Sequence, residues 1–157
     1  MSTDRRIHTV VFYAPGVLLD EAGRALPGMP AVLRELHSSG LELRAVCPDE
    51  TAAAHVGGAY PDHALPASVV SGSGGPHDTP HDEVHDELVE DLLRRGVLDT
   101  RSTLFVDHQP RRCMAAVRHG VYAGIFEDPP RLFRDLGLWG LVPLVHSLDE
   151  VKRRLGL

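Results

Sequence analysis

Short apolar runs alternate along this chain with segments of helical period, and that alternation is what most restricts its fold. HTVVFY (8–13), LELRAVC (41–47), ASVVS (67–71), STLFVD (102–107), VYAGIF (121–126) and LVPLVH (141–146) each read as a strand. Between them lie helical stretches at Pro30 to Ser39, Glu50 to Val56, Pro110 to His119, Arg131 to Leu136 and Leu148 to Leu155. A further helix is expected to start at a Thr79 cap, with Pro80 in its first turn and Gly96 as its stop. Its expected buried stripe is Val84, Leu88 and Leu92. Asp20 to Gly23 supplies turn chemistry.

Strand followed by helix, repeated in this way, predicts an α/β domain with three layers. A mainly parallel, Rossmann-like sheet is covered by helices on both faces. Ligands of such sheets bind at the carboxyl ends of the strands, where the strand order reverses. Residues 13–16, 47–49, 71–78 and 107–110 are expected to gather there.

The chain has 157 residues, 43% hydrophobic and 24% charged, which suits one globular domain spanning 1–157. A net charge of −6 without a basic block argues against nucleic acid and anionic membranes as partners. No apolar run approaches a signal sequence or a membrane span, so a cytoplasmic protein is expected. Cys47 and Cys113 are too few for a disulfide framework. The expected partners are a small-molecule ligand or a protein, with a homo-oligomer left open.

The four places expected at the strand ends carry a resemblance. FYAPGVLLD, LPGMPAVLRELHSSGLELRAVC, VVSGSGGPHDTP and LFVDHQPRRCMAAVRHGVYAGIF match, in order and spacing, the four motif regions of the haloacid-dehalogenase-like (HAD) superfamily. The resemblance covers nearly the whole chain and implies a HAD-like sheet. Activity does not travel with a fold, and here the family's catalytic set is mostly replaced.

The family's nucleophilic Asp is matched by Tyr13 and its general acid by Pro15. Its hydroxyl residue is matched by Cys47, and its acidic pair by Asp107 and His108. Its lysine falls near His77 or Asp78, and the one lysine, Lys152, lies in the closing helix. A phenol is a poor substitute for a carboxylate near neutral pH. Magnesium favours several oxygen ligands, so a single carboxylate predicts weak Mg²⁺ binding or none, and no other cofactor is expected. The segment after the first strand runs straight into the Pro30 helix, which implies a member without a large cap. Ser71 to Thr79 is the candidate lid.

The resemblance therefore implies a degenerate HAD-like protein without Mg²⁺-dependent phosphatase chemistry. Tyr13, Asp107 and His108 are the candidate working groups of a repurposed enzyme acting on a small molecule in the old pocket. Cys47 is a further candidate, for which packing is the favoured reading. Gly16, Ser71 and Arg111 are candidate ligand contacts, although arginines such as Arg111 and Arg112 at this position usually serve as surface charge. The alternatives are a non-catalytic protein binding a ligand or partner and, last, a divergent phosphatase. His81 and His85 stand at i and i+4, a spacing that suits Zn²⁺ or Ni²⁺. A solvated polar helix face is the favoured reading of that pair. Cys113 reads as core, and Trp139 as core or an oligomer contact.

Overall fold

The computed structural model describes residues 6–63, 65–70, 82–145 and 147–157. Among the described residues, five parallel strands form one sheet in the order β3-β2-β1-β4-β5. They are β1 (Thr9–Tyr13), β2 (Glu42–Cys47), β3 (Ala67–Val69), β4 (Thr103–Asp107) and β5 (Tyr122–Ile125). The helices are α1 (Met29–Ser38), α2 (Glu50–Ala59), α3 (Asp82–Arg94), α4 (Pro110–Arg118), α5 (Pro129–Leu138) and α6 (Leu148–Arg154). This is the Rossmann-like three-layer α/β fold expected from the strand-helix alternation. Residues 14–28, between β1 and α1, form turns and carry no cap domain.

Alternation along β1 builds both layers. Val10 and Phe12 face a core shared with α1, α2, α5 and α6, while Val11 and Tyr13 face a core shared with α3 and α4. Both faces of β1 are buried, which explains its continuous apolar run. The helices start where the sequence provides caps. Asp49 accepts from the Ala52 N–H, Asp128 from that of Arg131 and Ser147 from that of Glu150. Asp20 accepts the N–H groups of Ala22 and Arg24, shaping the turn expected at 20–23.

Two expectations are corrected. Residues 141–145 form no strand, although Leu141, Val142 and Val145 are buried. Pro143 has no N–H to give a ladder, and Leu141 N–H is used to close α5 on the Leu136 carbonyl at 2.9 Å. The run is apolar because it packs against the core, and β5 is left as the sheet's edge. In α3 the buried stripe is His85, Leu88, Val89 and Leu92, with Val84 half-buried. That i, i+3, i+4, i+7 set is rotated from the expected one, so His85 leaves the polar face. The Thr79 cap and Pro80 lie outside the described residues. No helix among the described residues is long and apolar enough to cross a membrane.

Candidate functional site

The strand order reverses between β1 and β4, so the last residues of these two strands flank the crevice where this fold class binds ligands. Tyr13 ends β1 and Asp107 ends β4. Asp107 is completely buried. A buried carboxylate needs partners, and a helix that starts three residues later supplies them. The Arg112 Nε donates to Asp107 Oδ2 at 2.5 Å, and Nη2 donates to Oδ1 at 3.2 Å. The Gln109 N–H adds a third donor to Oδ1 at 3.1 Å. The guanidinium also lies over the Tyr13 ring, 4.0 Å from its centroid.

Arg112 is therefore not surface charge. It is 2% exposed and belongs to the inward row of α4 with Cys113, Ala115 and Ala116. The sequence held a signal for this. In a helix that starts at Pro110, positions 112 and 116 share a face with the buried alanines. The surface reading weighed residue type above helical phase.

Tyr13 is buried in the α3/α4 core, and burial pushes its phenol up to about 12. The nearby Arg112 cation opposes that shift and the Asp107 carboxylate adds to it. Tyr13 is thus held as a neutral phenol beneath a guanidinium, a poor nucleophile or base near neutral pH.

Cys47 ends β2 on the opposite face of the sheet from Tyr13. Burial, with help from Asp49 and Glu50, pushes its thiol up to about 11. An activated thiolate needs the reverse environment, so the packing reading fits this residue. Cys113 is core as expected, its thiol facing the carbonyls of Asp107 at 3.5 Å and Gly124 at 3.6 Å.

His108 is the accessible member of the group, with 44% of its side chain exposed. Its Nδ1 lies 3.3 Å from Asp107 Oδ1. The imidazole rests on Gly16, whose φ of +84° is open to glycine but strained for other residues. A Cβ on Gly16 would stand 2.6 Å from His108 Nδ1. The β1 and β4 loops thus meet, as expected, through Gly16 and His108. Arg111 is exposed at the first turn of α4, its N–H on the Gln109 side chain at 3.3 Å. Ser71 and the candidate lid to Thr79 lie outside the described residues.

The histidine pair changes in meaning too. His85 is 2% exposed and lies in the stripe that packs α3 onto the core, not on a solvated face. His81 lies outside the described residues. Among the described residues no three His, Cys, Asp or Glu side chains gather as a metal site.

Asp107 itself does not fit a magnesium ion. Both of its oxygens already accept hydrogen bonds, and the charge a metal would neutralise is met by Arg112. No protein-family model matches this sequence, and no curated protein matches it.

Proposed function

We propose that this chain is a degenerate HAD-like domain without Mg²⁺-dependent phosphatase chemistry. It serves as a non-catalytic protein that binds a ligand or a protein partner at the carboxyl ends of β1 and β4. The observation that carries this reading is the Arg112 fork on Asp107. A guanidinium is a permanent cation with fixed donor geometry. It occupies the carboxylate that the resemblance would give to a metal ion. With Tyr13 neutral and buried under the same guanidinium, two of the three candidate working groups are committed to structure.

The test is hydrolysis of an aryl phosphate with Mg²⁺ present. No turnover above buffer is expected, and addition of Mg²⁺ leaves the melting temperature unchanged. Robust turnover that Asp107→Ala abolishes sinks the proposal. A thermal-shift screen against small anionic and neutral metabolites then finds the ligand class, because a ligand that binds only the folded state raises the melting temperature.

A second reading, a repurposed enzyme, rests on one observation. His108 is exposed and has a carboxylate 3.3 Å from Nδ1, which is how an acid-base histidine is oriented. Under that reading, turnover of a ligand found in the screen is lost in His108→Gln while binding persists. Equal behaviour of wild type and His108→Gln removes it.

A further inference from the structure

From the edge of the sheet we infer a homodimer in which β5 pairs antiparallel with β5 of a second copy, making one continuous ten-stranded sheet. β5 pairs with β4 alone among the described strands, and its sequence, YAGI, has no charge and no proline. Edges exposed to solvent are ordinarily protected by Lys, Pro, a bulge or a covering segment. Here the apolar run at 141–145 forms no strand beside it, and Leu141, Val142 and Val145 pack into the core shared by α1, α5 and α6.

Both flanks of this edge are apolar. On the α4 side stand Ile125 and Val117, which are 52% and 61% exposed. Cys113, one turn before Val117, touches the Gly124 carbonyl and places this side of α4 along β5. On the α5 side stand Tyr122 and Trp139. The Trp139 ring lies on Gly124, where an added Cβ would come within 3.1 Å, yet Trp139 is 48% exposed. These four side chains present on the order of 400 Å² of mostly apolar surface. The pairing strand backbones and a polar rim add to this in a complex that buries roughly 800 Å² per partner.

Charge selects a second copy as the occupant. The amino end of β5 is basic: Arg6 donates to the Tyr122 hydroxyl at 3.3 Å, and Arg101 and His8 line the same groove. Asp99 is the acidic neighbour there, its carboxylate taken by the Arg101 and Ser102 N–H groups. The carboxyl end is acidic: Glu127 and Asp128 follow the strand, with Arg131 pairing to both. Counting these carboxylates and guanidiniums, each end keeps one net charge, positive at the start and negative at the finish. A two-fold axis through β5 sets each basic end against the partner's acidic end. A parallel arrangement would set like against like.

The experiment is analytical ultracentrifugation of the full chain across a concentration series, with Trp139 emission followed on dilution. The expected species has twice the 17.1 kDa of one chain, and its dissociation red-shifts the lone tryptophan. Ile125→Lys and Val117→Lys, both at exposed positions, each weaken the dimer at least tenfold and leave the circular dichroism unchanged. Leu148→Lys, on α6, leaves the dimer intact. Arg6→Glu and Glu127→Arg each weaken association, and the double variant restores it, because the reversed charges meet across the axis. A wild type that stays monomeric at 100 µM overturns the inference. So does a dimer indifferent to Ile125→Lys and Val117→Lys, or a charge-reversal pair whose effects simply add.

Discussion

The Arg112 guanidinium holds both carboxylate oxygens of Asp107 in a pair where neither side chain is more than 2% exposed. Such a pair adds little net stability over an apolar substitute, yet removal of one member leaves a buried charge alone. Arg112→Ala is therefore expected to cost about 3–5 kcal/mol. The melting temperature should fall by roughly 10 °C for a chain of this size. Asp107→Asn combined with Arg112→Met, which removes both charges, should recover most of that loss. A urea-denaturation double-mutant cycle measures it, and additive effects would contradict the pairing.

Gly16 and His108 are expected to couple. Gly16→Ala forces a side chain into a left-handed backbone and into the imidazole. The cost should be about 1–3 kcal/mol. In a His108→Ala background the contact is gone and only the backbone term remains, about 1 kcal/mol. Equal costs in the two backgrounds would show that the ring does not rest on the glycine.

Both thiols should be inert in the folded chain. Burial raises Cys47 to about 11 and Cys113 to about 12, so neither supplies thiolate at pH 8. A disulfide reagent should label neither at pH 8 within minutes and both in denaturant. Rapid native labelling of Cys47 would revive it as a nucleophile.

Stability should fall as the solution becomes alkaline. In the unfolded chain the thiols lose protons from about pH 8.5 and the phenols from about pH 10. In the folded chain Cys47, Cys113 and Tyr13 keep theirs to about pH 11–12, and Tyr60 is raised as well, by burial. The unfolded state then binds fewer protons, so unfolding becomes easier as pH rises. Urea midpoints measured from pH 8 to pH 11 should decline steadily, with the steeper part above pH 10. A flat profile would contradict the burial of these groups.

Much of this molecule is legible in one dimension. The continuous apolar run at 8–13 fits a central strand buried on both faces, and β1 is that strand. Caps at Asp49, Asp128 and Ser147 precede their helices as the residue types dictate. The approach of the 13–16 and 107–110 loops follows from parallel topology alone. The readings that failed are those in which a residue's type and its position disagree. LVPLVH has strand composition, but a proline and a helix-closing bond turn it into irregular chain. His85 and Arg112 have polar side chains, yet helical phase carries both inward.

The sequence by itself determined the parallel α/β architecture, the helix starts and the identities at the strand ends, because periodicity, capping and turn chemistry are local. Tertiary structure alone decided what those identities mean. Whether Asp107 is a free carboxylate or a neutralised one depends on the phase of α4, which brings Arg112 back across the loop. Whether Tyr13 ionises depends on the packing above it. Which strand forms the edge depends on where residues 141–145 come to rest. Each is a matter of distance between residues, and distance is what folding adds to the order of the chain.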